Sequence, residues 1–154
     1  VHPVVADILF ELAAEYLVPC IRLPRERVFT TLALARDNTG RKLIEAAIFR
    51  SLSARARRRM VERGIRSSDW LFGLHQSGNL SEEYLQGVIA RLPKGITEVY
   101  FHPAADIGGL PPSPAAQREV ELLTSAKVRA ALDAHSVRLT TFAELAREPA
   151  AAAH

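Results

Sequence analysis

The sequence predicts an α/β fold with about four parallel strands separated by helices. Three observations carry this. Short β-branched or aromatic runs recur along the chain. A stretch of helical periodicity lies between each pair of runs, as the crossover of a parallel sheet requires. The 154 residues amount to about one domain. Four strands are few for an independent doubly wound sheet and would be half of an eight-strand barrel.

The elements follow in order. His2-Pro3 opens a helix whose Val4, Ile8, Leu9, Leu12, Ala13 and Tyr16 mark one apolar face. Pro3 suits the first turn, where a missing N–H costs nothing. Leu17 to Leu23 reads as a short strand, with Pro19 best placed at its first residue and Pro24 as its end. Val28 to Ala35 is compatible with helix or strand. Gly40 to Arg63 reads as a helix with the stripe Leu43, Ala47, Ile48, Leu52, Ala56 and Met60, stopped by Gly64. Ile65 to Leu74 reads as a short strand and a turn around Asp69-Trp70, and Gln76 to Asn79 as a loop. Ser81 caps a helix to Leu92, with Glu82 and Glu83 in its positive first turn. Ile96 to Phe101 is the clearest strand. Ser113-Pro114 opens a helix expected to run to about His135. Val137 to Thr140 reads as the last strand, and Thr141 with Glu144 as the capping box of a short final helix. Residues 150–154 read as a disordered tail.

Composition excludes several classes. With 48% hydrophobic and 24% charged residues the chain is not disordered throughout. No 18-residue apolar window exists, so no membrane span is expected, and the first residues lack a signal peptide's basic region. The opening Val1-His2-Pro3 suggests a piece of something longer. A single cysteine, Cys20, rules out an internal disulfide framework and a Cys-rich zinc site, and fits a reducing cytoplasm. The net charge of +3 hides a local stripe: residues 22–66 hold 13 of the 20 Lys and Arg. Within residues 41–66, Arg55, Arg57, Arg58, Arg59, Arg63 and Arg66 read as a solvated outer helix face. The alternative is a surface for an anionic partner, but the stretch has neither accessible aromatics nor a nucleic-acid-binding signature.

Parallel α/β folds collect functional groups at the C-terminal ends of their strands. In this reading Arg22, Asp69 and His102 lie there. His102 follows the clearest strand and precedes Pro103. It suits a general acid or base, or else a hydrogen-bonded buried histidine. Arg22 suits a clamp for carboxylate, phosphate or sugar hydroxyl, or an internal ion pair with Glu26 or Asp69. Asp69 suits sugar hydroxyls, orientation of His102, or a turn cap. Trp70 suits a sugar face or the core. His75 and His135 share no metal-ligand spacing with a neighbour. HExxH, GxSxG, CxxC and Gly-rich phosphate-loop motifs are absent from the sequence.

Several segments together are similar to the YdjC-like carbohydrate deacetylases. They are Val1-His2-Pro3 through Arg22-Leu23-Pro24, and Asp69-Trp70-Leu71-Phe72-Gly73-Leu74 with Ser77-Gly78. Further along come Leu92-Pro93-Lys94-Gly95-Ile96-Thr97-Glu98 through Phe101-His102-Pro103-Ala104, then Arg118-Glu119-Val120-Glu121-Leu122-Leu123 with Val128-Arg129, and Val137 to Leu145. The resemblance covers nearly all of this chain and about the C-terminal half of the family's length. It implies that residues 1–149 are the C-terminal portion of one (β/α) barrel related to polysaccharide deacetylases, a TIM-barrel-like fold. The implied activity is hydrolysis of an N-acetyl group on an acetylated amino sugar or glycoconjugate. The Arg22-Leu23-Pro24-Arg25-Glu26 run leans toward the hopanoid-biosynthesis-associated branch.

The resemblance also implies a divalent metal, magnesium or zinc, held by an Asp of an N-A-D-D-F-G strand and two histidines. That strand does not occur in this sequence, and His2 matches only the tail of the histidine-rich motif. No metal is therefore expected on this chain alone, which is expected to be inactive by itself. His102 is the expected general acid, and Arg22, Asp69 and Trp70 the expected substrate-binding residues. No nucleic-acid partner is expected, and a homo-oligomer is left open. The rival readings are a binding module using the basic helix 41–66, and a non-catalytic remnant whose open barrel edge pairs with another chain.

Overall fold

Two parallel strands and the extended segment beside them place the candidate site. The computed structural model describes residues 2–35, 39–106, 108 and 111–147, without the side chains of residues 39, 41–43, 45 and 46. Residues 150–154, expected as a tail, lie outside the described residues. The elements are α1 (Pro3–Glu15), α2 (Val28–Leu34), α3 (Thr39–Glu62), β1 (Trp70–Phe72), α4 (Glu82–Ile89), β2 (Thr97–Val99), α5 (Pro114–Leu123), α6 (Ala126–Ala134) and α7 (Phe142–Arg147). The class is α/β, as expected. Among the described residues no helix is long and apolar enough to cross a membrane.

β1 and β2 pair in parallel, Trp70 opposite Thr97, Leu71 opposite Glu98 and Phe72 opposite Val99, with α4 as the crossover. The pairing continues through Tyr100 N–H to Phe72 C=O, 2.8 Å. On the other side of β1 runs the segment expected as the first strand. Arg66 N–H bonds Pro19 C=O and Ile21 N–H bonds Arg66 C=O, each at 2.8 Å, and Leu71 N–H bonds Arg25 C=O at 2.9 Å. Only the bridge Cys20–Arg66 forms a ladder pair there. Pro24, which has no N–H to give, sits where the ladder breaks.

The expectation of about four strands is therefore corrected to two strands and one bridge among the described residues. Val137 to Thr140 is not a strand because its backbone is used locally. Ser136 takes φ +52°, its N–H bonds Asp133 C=O, and Val137 N–H bonds Leu132 C=O at 2.9 Å, a Schellman ending of α6. Thr140 Oγ1 then donates to Glu144 at 2.8 Å. The expected single helix from Ser113 to His135 is likewise two. Thr124 turns its hydroxyl back onto Val120 C=O, and Ser125 Oγ caps the N–H groups of Lys127 and Val128.

The local capping signals are seen in the structure. Ser81 Oγ accepts from Tyr84 N–H, Ser113 Oγ accepts from Ala116 N–H, and Thr141 and Glu144 bond reciprocally. Gly64, at φ +67°, ends α3. Val28 to Leu34 resolves as helix.

Two apolar clusters form the core. Ala6, Phe10, Ala13, Leu23, Ala56, Met60 and Ile65 make the first; Phe72, Leu80, Tyr84, Leu85, Val88 and Leu122 make the second. Of the expected apolar face of α1 only Ala13 is buried. Val4, Ile8, Leu9, Leu12 and Tyr16 are exposed, and Ala6, Phe10 and Ala13 face α3. Small residues at 6 and 13 let the helices approach closely, and Asp7 pairs with Arg59 across the contact. On α3, Ala56 and Met60 are buried and Leu52 half-buried, whereas Ala47 and Ile48 are exposed; the Leu43 side chain lies outside the description.

The arginine face is divided. Arg55, Arg58 and Arg63 are exposed, as expected. Arg57 pairs with Asp69 at 3.3 Å, Arg59 with Asp7, and Arg66 donates to Leu145 C=O, so these three arginines act in packing.

Candidate active site

Side chains of a strand alternate between its faces. Along β2 and its continuation, Val99 and Phe101 pack on the second cluster, which leaves Glu98, Tyr100 and His102 on the opposite face. Arg22 reaches this face from the extended segment beyond β1. Its Nε donates to Glu98 Oε1 at 2.6 Å, and its Nη2 contacts the same oxygen. The guanidinium lies 4.8 Å from the centre of the Tyr100 ring. The His102 imidazole stands edge-on to that ring, centroids 4.5 Å apart at 79°. One tyrosine thus supports both the arginine and the histidine.

The backbone is held from both sides. Gly73, at φ +94°, lies against Tyr100, and a Cβ there would meet Tyr100 C=O at 2.6 Å. The His102 N–H donates to the Glu119 carboxylate from α5, and Glu119 is 2% exposed. His102 itself is exposed. The alternative of a buried structural histidine is therefore corrected: the buried polar group is Glu119.

The other expected site residues lie elsewhere. Arg22 pairs with Glu98, not with Glu26 or Asp69. Glu26 accepts from Thr31 Oγ1 at 2.5 Å and from His75 N–H at 3.2 Å. Asp69 precedes β1 and so lies at its N-terminal end, not its C-terminal end. There it accepts Ile96 N–H at 3.0 Å and pairs with Arg57. Trp70 is half-buried against the second cluster; its Nε1 donates to Lys94 C=O at 3.3 Å, and Arg25 and Arg27 lie over its ring. His2 is exposed and caps α1 only through its backbone. The structure brings Arg22 and His102 together and leaves Asp69, Trp70 and His2 apart from them.

Sequence reasoning missed Glu98, Tyr100 and Glu119. The period-two alternation that ends in His102 was the signal for the first two. Glu119 carries no local signal, because its role depends on how α5 docks.

A cavity of about 660 Å³ opens on the other face of β2, among residues including Val88, Val99, Phe101 and Val128. It does not include Arg22, Glu98, Tyr100 or His102. The described residues do not fit a divalent-cation site: no three His, Cys, Asp or Glu side chains among them converge as a donor set.

A family model described as YdjC-like protein matches residues 1–134. No curated protein and no solved structure matches the chain.

Proposed function

The chain belongs to the YdjC-like protein family, and from that premise we propose that it acts in hydrolytic removal of an N-acetyl group from an acetylated amino sugar or glycoconjugate. The observation that supports this reading is the exposed imidazole of His102 at the end of β2, braced by Tyr100 and anchored through its backbone to Glu119.

The chemistry asks for such a group. Water adds to the acetamide carbonyl, and the tetrahedral intermediate collapses by breaking the C–N bond. The departing nitrogen must gain a proton to leave as an amine, with acetate as the other product. His102 is the general acid that delivers this proton, a role typically contributing about 10²–10⁴-fold. Arg22, against the same tyrosine, lines the cleft. Tyr100 and Glu119 are positioning residues.

In this reading β1 and β2 are neighbouring strands of a (β/α) barrel, with Glu98, Tyr100 and His102 facing its interior at the C-terminal end, where such folds collect their chemistry. The Arg22-Leu23-Pro24-Arg25-Glu26 run supports the hopanoid-associated branch as the finer assignment, and the lone Cys20 supports a reducing cytoplasm. Acetate release from N-acetylglucosamine oligosaccharides by the intact protein tests the activity. Its absence across a panel of acetylated amino sugars and glycolipids would overturn it.

A further inference from the structure

We infer that the cavity on the face of β2 turned away from His102 binds a fatty acid, its alkyl chain among the helices and its carboxylate at Lys94 and Arg129. The site is separate from the His102 face and does not rest on the deacetylase reading. The cavity arises from how the helices break. Thr124 and Ser125 end α5 and start α6, so α6 turns back to pack on α4. No side chain of α6 is fully buried. Its Val128 and Leu132 face a space that Val88, Leu92, Val99 and Phe101 close from the other sides. Well-packed interiors leave few voids larger than a water molecule. This one measures about 660 Å³, within the roughly 300–1,000 Å³ typical of ligand pockets. At its mouth Leu123 is 54% and Leu139 59% exposed, so the apolar wall continues to the surface.

The charges at this cavity have one sign. Lys94, Arg129 and Arg138 line it, and no Asp or Glu is among the described residues that do. Arg138 is answered by Glu144. Glu82, which caps Ser125 from α4, is held by Lys127. Lys94 and Arg129 are exposed, and neither makes an ion pair among the described residues. Two uncompensated cations thus stand over an apolar interior. A plain hydrocarbon would fill the interior and leave the cations unmet. An alkylammonium would bring a like charge to them, and a small anion would leave the apolar wall in water. A carboxylate carried on one alkyl chain meets both demands, and both cationic side chains have free donors to give it.

The test is calorimetric titration of the full chain with dodecanoate and with dodecyltrimethylammonium, the same alkyl chain under the opposite charge, both below their micelle-forming concentrations. Dodecanoate is expected to bind saturably, one per chain, at least about tenfold tighter than the ammonium. Lys94→Glu/Arg129→Glu alters two exposed positions and leaves the core alone. It is expected to weaken dodecanoate by about tenfold or more and to reverse the preference. Val99→Trp fills the cavity and is expected to abolish binding of both. If Val99→Trp does not fold, Leu132→Trp, at a half-buried position, takes its place. No saturable binding of dodecanoate, equal binding of the two amphiphiles, or unchanged binding by the charge-reversed or the filled variant would each overturn the inference. So would acetate bound as tightly as dodecanoate, which would mark a bare anion site. Attachment to phosphatidylglycerol vesicles without binding of monomeric dodecanoate would overturn it as well, in favour of a membrane-surface contact.

Discussion

The carboxylate of Glu119, almost fully buried on α5, accepts a hydrogen bond from the backbone N–H of His102, an exposed residue just past β2. The imidazole is exposed, edge-on to Tyr100, while its main chain is tethered from beneath. Preorganisation of this kind fixes where an imidazole can deliver a proton.

Glu119→Ala should therefore damage both fold and site. It leaves the His102 N–H without its acceptor in a covered position, at a cost of about 1–3 kcal/mol. Urea denaturation should show a lowered midpoint, and the amide proton of His102 should exchange faster than in the unaltered protein. An unchanged midpoint and unchanged exchange would show that the tether carries no weight.

Leu17→Gly should stabilise the protein. Leu17 ends α1 at φ +53° and is 86% exposed, so its side chain contributes little packing while its Cβ opposes the left-handed backbone. Glycine removes a penalty of roughly 1–2 kcal/mol and loses part of that gain to the greater freedom of its unfolded chain. A net gain of about 0.5–1 kcal/mol is expected, raising the thermal midpoint by about 1–4 °C. Leu17→Ala, which keeps the Cβ, should show no such gain.

Much of the local structure was legible because its causes are local. Ser81, Ser113 and the Thr141–Glu144 box act on N–H groups within three residues, and Gly64 on the last turn of α3. The misreadings share the opposite cause. A strand exists only with a neighbour, so Val137 to Thr140 had the right residues but no ladder. The larger side chains of α1 pointed to the wrong face, because tight packing on α3 selected Ala6 and Phe10 and, of the expected stripe, only the small Ala13. At the site, the strand-end rule singled out Arg22 and His102, which the structure places against the same tyrosine, but misplaced Asp69. The partner of Arg22 lies 76 residues away on β2, a pairing no spacing in the sequence reveals.

Alkaline pH should weaken the fold through Tyr84. Burial in the second cluster is the largest cause that pushes its phenol up to about 12 from an ordinary 10.0. The folded form holds the proton that the unfolded chain releases first. Stability is therefore full below about pH 10 and falls as pH rises toward about 12, by roughly 2–3 kcal/mol in all. Denaturation across this range should show that slope in the unaltered protein and lose it in Tyr84→Phe.

The arginines of α3 should separate by their contacts. Arg59→Ala removes the pair with Asp7 between α1 and α3 and should cost up to about 1 kcal/mol. Arg58→Ala, at an exposed position, should stay within about 0.5 kcal/mol of the unaltered protein. Equal midpoints for the two variants in chemical denaturation would contradict the division of this helix into a packed and a solvated edge.

The most direct measurement is kcat for acetate release together with the unfolding midpoint, in the intact protein and in His102→Ala. Because His102 is exposed and its structural bond is made by its backbone, the substitution should leave the midpoint nearly unchanged and lower kcat by about 10²–10⁴-fold. Near-normal turnover with a clearly lowered midpoint would contradict the assignment of His102 as the general acid.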